Sequence, residues 1–316
     1  MKDRKAGQRM LSVILPAYNE EKMIKKAAVR IGEILDGADI PYEIVFVNDG
    51  SKDGTWKEIE EAAEQDDHIV GVRFSRNFGK EAAMFAGLAN ASGECCAVMD
   101  CDLQHPPETL VEMYRLWQQG YEVIEGVKRT RGQESALHRA SAGMFYRLIS
   151  KAAKIDMSRA SDFKLLDRKA VDAMLSMPER NTFFRALSSW VGFKTVSVEF
   201  DVQERTEGES KWSTWSLIKY AVQNIVAFST VPMQCVTVAG VLVFLMAVIL
   251  GIQSLVKYFS GHAMEGFTMV ILLILIIGSI IMISLGIIGY YIAKIYEEVK
   301  ARPRYLISKR IGTEKK

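Results

Sequence analysis

Up to about residue 200, short apolar runs alternate with stretches of helical periodicity. "LSVIL" (Leu11–Leu15), "YEIVFV" (Tyr42–Val47), "IVGVRF" (Ile69–Phe74), "CCAVM" (Cys95–Met99) and "YEVIEGV" (Tyr121–Val127) read as strands. Amphipathic patterns over Glu20–Leu35, Thr55–Glu64, Gly79–Ala91 and Pro107–Gln119 read as helices between them. The strand runs show little polar alternation, so each is expected to be covered on both faces, in a mostly parallel α/β sheet. Ligands of such sheets bind outside the carboxyl ends of the strands. The residues just after each strand are therefore the ones to examine.

The pattern changes near residue 230. Pro232–Val256 and Gly266–Ala293 contain no charged residue, and each exceeds the roughly 20 apolar residues that cross about 30 Å of hydrocarbon. A transmembrane hairpin is predicted over about 232–257 and 266–293, with "KYFSGHAME" as its loop. The predicted organisation is a catalytic domain over 1–229, the hairpin over 230–295 and a basic tail over 296–316. Two segments before the hairpin, about 137–155 and 212–228, set basic residues and tryptophans beside apolar stripes. That pattern suits helices lying in the membrane interface, although core-facing helices would share it. The segment after Ala293 carries eight Lys or Arg, so both termini are expected on the cytoplasmic side of a multi-pass protein of the cell membrane. The N-terminal apolar stretch, about six residues, is too short for a signal-peptide core.

Composition adds little to this. Mean hydropathy is +0.06 over 316 residues, and the apolar excess sits in the hairpin. A net charge of +2 argues neither for nor against a nucleic-acid partner, and none is expected. Cys95, Cys96, Cys101 and Cys235 form no CxxC pair and read as small buried hydrophobes.

The chemistry lies at the strand exits. "PAYNEE" (Pro16–Glu21) follows the first strand, "NDGSKDGT" (Asn48–Thr55) the second and "DCDLQ" (Asp100–Gln104) the fourth. Asp100 and Asp102 flank one residue, so on an extended segment both side chains point the same way. That makes a hard-oxygen site suited to Mg²⁺ or Mn²⁺. A cation there would neutralise a diphosphate leaving group. GxxxxGK[ST] is absent, so "GSKDGT" is not a phosphate loop.

The set "PAYNEE", "VNDGSKDGT", "SRNFGKEAAMFAGL", "MDCDLQHPPE", "SDFKLLDRKA" and "ERTEGESKW" resembles family 2 glycosyltransferases of the polyisoprenyl-phosphate branch. That branch includes dolichol-phosphate mannose synthase and bacterial undecaprenyl-phosphate glucosyltransferases. The resemblance implies a GT-A fold, a nucleotide-diphosphate sugar donor and inversion at the anomeric carbon. It implies that Pro16, Tyr18 and Glu20 line the nucleoside pocket and that Asp49 reads the base edge. Asp100 and Asp102 would hold the metal and donor diphosphate, helped by Gln104. Asp162 matches the carboxylate near the reaction centre, and Arg205, Ser210 and Lys211 match a segment that closes over the phosphates. Arg129 and Arg131 are candidates for the acceptor phosphate, although a solvated loop charge explains them as well. Asn77 and Lys80 are candidates to face the donor, with capping and surface charge as the alternatives.

A phosphate monoester is already largely dianionic near neutrality, its second pKa lying near 6. Asp162 is therefore expected either to orient substrate or, in the usual assignment, to act as a base. The expected reaction is transfer of one sugar, from a UDP-hexose or UDP-aminosugar, to undecaprenyl phosphate for cell-envelope modification. The enzyme would act at the bilayer, as a monomer or a homo-oligomer. A processive polysaccharide synthase would carry a QxxRW motif and further membrane helices; "FFRALSSW" does not match. A non-catalytic nucleotide-sugar-binding regulator would be expected to lack Asp100, Asp102 or Asp162. A flippase is disfavoured because neither span carries an ionisable residue near its middle.

Overall fold

The computed structural model describes residues 9–129, 161–179, 183–201, 231–260 and 266–312. Contacts divide the chain into two compact units, Met1–Ser213 with Arg302–Lys316, and Thr214–Ala301.

The first unit is an eight-stranded sheet in the order β7-β5-β6-β4-β1-β2-β3-β8. Its strands are β1 (Leu11–Ala17), β2 (Tyr42–Asn48), β3 (Ile69–Phe74), β4 (Cys95–Val98), β5 (Val123–Lys128), β6 (Lys164–Asp167), β7 (Thr195–Phe200) and β8 (Ile307–Ile311). The helices are α1 (Ile24–Gly37), α2 (Thr55–Gln65), α3 (Lys80–Asn90), α4 (Thr109–Gln118), α5 (Arg168–Ser176) and α6 (Phe184–Trp190). The central strands β3, β2, β1 and β4 are parallel, and β1 and β2 are buried along nearly their whole length. Helices on both faces explain why those strands read as unbroken apolar runs. Leu11, Val13, Leu15, Ile44 and Phe46 share a core with α1, α2 and α4. On the other face α3 packs against β1, where Gly87 lies so close to Ile14 that a methyl group would sit 2.2 Å from its Cγ2.

Two strands depart from the expected pattern. β6 runs antiparallel between β4 and β5, with Val98 opposite Lys164. Its beginning therefore lies at the edge where β4 ends, which carries Asp162 to the exits of the parallel strands. The second departure is in the tail. Instead of a free basic segment, Ile307–Ile311 forms β8, antiparallel to β3. Ser75 N–H donates to the Leu306 carbonyl at 2.9 Å, Tyr305 stacks on Phe74 and Lys309 pairs with Glu60 at 2.6 Å. An unpaired β3 edge would expose its backbone N–H and C=O groups, and β8 satisfies them.

In the second unit, α7 (Val231–Phe259) and α8 (Phe267–Val299) span 29 and 33 residues and pack together. They contain apolar windows at Val236–Gln253 and Ile276–Val299, with mean hydropathies of 2.5 and 2.1. A helix of 29 residues runs about 44 Å, more than the ~30 Å of a bilayer core. Phe244, Leu245, Ile249, Ile281 and Ile283 are exposed. Both helices are long and apolar enough to cross a membrane. α7 exceeds the predicted 232–257 at both ends, and α8 starts one residue after the predicted 266 but runs past 293 to take in residues 296–299 of the predicted tail. The two segments expected to lie in the membrane interface, about 137–155 and 212–228, fall outside the described residues.

Candidate active site

The exits of β1, β2 and β4 meet where the strand order reverses, the place such sheets use for ligands. Short side chains stitch the first two exits together. Asn19 N–H donates to Ser51 Oγ at 3.0 Å, Lys52 N–H to Asn19 Oδ1 at 2.9 Å and Glu20 N–H to Thr55 Oγ1 at 2.9 Å. Asn19 takes a positive φ of 56°, which Asn tolerates better than most residues. Pro16 pairs in register with Val47, and Tyr18 stands 38% exposed beside it.

Asp49 is buried, at 3% exposure. Its Oδ1 accepts from Phe78 N–H at 2.6 Å and its Oδ2 from Gly79 N–H at 2.9 Å. Burial pushes its carboxyl up, against the pull of the two amides and Arg76. These two hydrogen bonds tie Asp49 to the turn that opens α3. Gly79 has φ +99°, a conformation that favours glycine.

The metal-candidate loop has its own local reason to fold. Gln104 N–H donates to Asp102 Oδ1 at 3.1 Å, and Leu103 takes φ 57° between them. A left-handed Leu costs roughly 1–2 kcal/mol; such strain gathers at functional sites. His105 is buried between Phe163, stacked at 4.8 Å, and Phe200, edge-on at 5.4 Å. Burial lowers its pKa, and its Nδ1 accepts from Asp100 N–H at 3.4 Å.

Asp162 stands opposite this loop, 8% exposed. Arg185 grips it with Nε to Oδ1 at 2.6 Å and Nη2 to Oδ2 at 2.8 Å. Lys80 Nζ lies 3.0 Å from Asp162 Oδ2 and 2.6 Å from Asp100 Oδ1. Burial raises the Asp162 pKa, but Lys80 and Arg185 outweigh it and hold the carboxyl well below the usual carboxylate range. Burial likewise pulls Lys80 down, and Asp100 and Asp162 more than reverse it. Glu81, behind them, accepts from Phe184 N–H at 2.8 Å; burial, then Asp162, pushes it up to about 7. An Asp so firmly ionised is a weak proton acceptor and a strong orienting charge.

Arg185 was not legible as a site residue: α6 has no motif, and only the fold brings it to Asp162. Arg129 lies at the β5 exit, 58% exposed, paired with Asp201 at 3.0 Å and Glu199 at 3.7 Å. It is two strands removed from β4 in the sheet. Arg131, Arg205, Ser210 and Lys211 lie outside the described residues.

Among the described residues no group of three or more His, Cys, Asp or Glu could hold a metal. Two carboxylates on one strand exit nonetheless fit Mg²⁺ or Mn²⁺, which commonly take one or two protein carboxylates and draw their other ligands from phosphate and water. Cys95, Cys96 and Cys101 are buried free thiols, as expected for small core residues.

A mostly parallel sheet, covered on both faces and acidic at its switch point, is the architecture of α/β proteins that take ligands at the strand exits. The model of the family "Glycosyl transferase family 2" matches residues 12–175, and the chain belongs to that family: it is a glycosyltransferase with a GT-A-like fold. An uncharacterized glycosyltransferase of Synechocystis is 38% identical over 306 residues, covering 96% of both chains. A prophage bactoprenol glucosyl transferase homolog of Escherichia coli is 37% identical over 302 residues, covering 95% of this chain and 98% of the relative. Among solved structures, mannosyl-3-phosphoglycerate synthase from Rubrobacter xylanophilus is 16% identical with a TM-score of 0.50. It covers 69% of this chain and 73% of its own, a likeness of fold.

Proposed function

We propose that this glycosyltransferase moves a single sugar from a UDP-linked donor to a polyprenyl phosphate, undecaprenyl phosphate foremost, with inversion and with a divalent metal. The observation that carries the reading is Asp162 and Asp100 bridged by Lys80 at one sheet edge, in a chain that also bears two membrane-length apolar helices. The relatives named for bactoprenol glucosyl transfer support the acceptor class. The two carboxylates of the β4 exit support the metal, which when bound would neutralise the diphosphate as it leaves.

The chain's own residues account for the rest. An acceptor phosphate oxygen attacks the anomeric carbon, and the bond to the diphosphate oxygen breaks with its electron pair. The attacking oxygen carries no proton at neutral pH, its second pKa being near 6, so no base is required. Asp162, ionised and clamped, orients the sugar or the acceptor. Arg185 supplies fixed positive charge beside two anions, with Lys80 as a second cation, and preorganised charge is often the largest catalytic effect. Pro16, Tyr18 and Glu20 would line the nucleoside pocket. Asp49 is proposed to read the base edge, while its hydrogen bonds to Phe78 and Gly79 tie it to the turn before α3. Arg129, Arg131, Arg205, Ser210 and Lys211 are proposed for the phosphates.

Chain connectivity favours placing both ends of the hairpin on one side of the membrane. The strands before it and β8 after it belong to one sheet, so the chain between them crosses an even number of times. The charge bias makes that side the cytoplasmic one. A sheet domain of about 230 residues, a hairpin and a returning strand are the domain organisation we favour. The test is to incubate membranes with undecaprenyl phosphate and a panel of labelled nucleotide sugars, with and without chelator. Label should enter the lipid phase from one UDP-sugar only when Mg²⁺ or Mn²⁺ is present, and Asp102→Asn should abolish it. Transfer that survives both chelator and Asp102→Asn would refute the metal-dependent reading.

A further inference from the structure

We propose that the Lys80 ammonium occupies Asp100 as a built-in counter-cation, so that a divalent ion binds this site together with a nucleoside diphosphate and only weakly without it. The proposal rests on the reading of Asp100 and Asp102 as metal ligands, and deepens it.

The geometry makes Lys80 a movable charge on a fixed base. Its backbone opens α3, immediately after a turn anchored by Asp49 through Phe78 and Gly79. The next turns of the helix, Ala82 to Leu88, are buried. The side chain is 44% exposed, and its Nζ bridges Asp100 Oδ1 at 2.6 Å and Asp162 Oδ2 at 3.0 Å. The two carboxylates are not equally dependent on it. Asp162 keeps a bidentate guanidinium from Arg185, whereas Lys80 is the one cation paired with Asp100 among the described residues.

A metal ion arriving alone must displace an ammonium from Asp100 and leave it beside a new dication. A metal ion arriving with a diphosphate brings the oxygens that can take up the displaced ammonium. Each of the two ligands therefore strengthens the other, and the coupling is reciprocal. The consequence is an order of events: the site stays charge-compensated in the resting enzyme, and it takes up its metal as donor enters. Lys80→Met, close in length and uncharged, removes the competitor and the coupling together. Its effects on metal alone and on the coupling then run in opposite directions, which simple loss of structure would not produce.

The test is Mn²⁺ titration of the purified full-length protein in detergent, read by the loss of the free-ion electron paramagnetic resonance signal, with and without UDP. For wild type, UDP should tighten Mn²⁺ binding at least tenfold. Lys80→Met should bind Mn²⁺ alone at least tenfold more tightly than wild type, with the effect of UDP reduced. Lys80→Arg, which keeps the charge, should resemble wild type. If Lys80→Met bound Mn²⁺ alone with unchanged or weaker affinity, or kept the full effect of UDP, the proposal would be overturned. Asp102→Asn separates the two layers of argument. Mn²⁺ binding that is lost in Asp102→Asn but indifferent to Lys80 overturns only the role of Lys80. No saturable binding by wild type even with UDP overturns the metal assignment, and the role of Lys80 with it.

Discussion

Replacing Asp162 by Asn removes a charge while keeping the shape of the side chain. The wild-type carboxylate receives Arg185 at 2.6 and 2.8 Å and Lys80 at 3.0 Å. Deleting one partner of a buried pair costs about 3–5 kcal/mol. Here the abandoned cations reach water, Arg185 being 27% and Lys80 44% exposed, so a discounted ~2–3 kcal/mol is the better figure. One kcal/mol shifts the midpoint of a domain this size by about 2–4 °C. The expected loss is therefore about 4–12 °C, read by intrinsic fluorescence on heating the full-length protein in detergent. The sign with pH follows from the depressed pKa of the folded carboxyl. Such a group stabilises fully above its unfolded value, about 3.9, and the contribution is lost as pH falls through the folded value. Because burial and then Asp162 itself raise Glu81 into this range, the comparison is made on a Glu81→Gln background, where the gap should be constant from pH 8 to about 5 and narrow only below about 4. Turnover should likewise show no limb from Asp162 between pH 5 and 8. A variant that melts with wild type, or a gap that closes between pH 7 and 5, would refute the clamped-anion argument and restore Asp162 as a base.

Glu81 runs the other way. Pushed up to about 7 from an ordinary 4.5, it stabilises fully below the unfolded value and loses that contribution as pH rises through the folded one, by about 3 kcal/mol. Glu81→Gln, which keeps an acceptor for Phe184 N–H, should flatten the fall in thermal midpoint between pH 4.5 and 7; an unchanged slope would place the titration elsewhere. Gly50 has φ +65°, and a Cβ there would sit 2.4 Å from the Arg76 carbonyl carbon, so Gly50→Ala must part the β2 exit from the turn before α3. UDP affinity by calorimetry should fall at least tenfold in that variant, with the sheet intact by circular dichroism. Arg304 donates to the Met177 and Glu179 carbonyls and lies 5.1 Å from the centre of the Phe85 ring. Arg304→Met should cost about 1–3 kcal/mol and make the C-terminal segment more open to protease; equal cleavage rates would contradict the clamp.

What the sequence disclosed and what it withheld divide along a physical line. Leu11–Leu15 and Tyr42–Val47 announced themselves because a strand covered on both faces is apolar throughout, and the helices between them because one face is. Asp100 and Asp102 were visible for the same reason, as carboxylates at the end of an apolar run. β6 gave no such signal. It has four residues, and one of them is Lys164, whose ammonium is fully buried and paired with Glu125 at 2.5 Å and Ser188 at 2.7 Å. A charge inside a strand hides it from any reading based on hydropathy, because its partner lies 39 positions earlier in the chain. β8 is hidden by the opposite property: its residues are largely exposed, as an edge strand allows, and its partner β3 lies on the other side of the hairpin in sequence. Asp49 was singled out by the family resemblance, and the structure also binds both its oxygens to the backbone of the Phe78 turn, a contact no local pattern encodes. Arg185 follows from β6 in turn. Only an antiparallel strand after Asp162 returns the chain from the strand-exit edge, so that the helix beyond can aim a guanidinium back at it. The carboxylates of this site were legible one strand at a time, whereas the cations that set their charge state depend on pairings between distant segments.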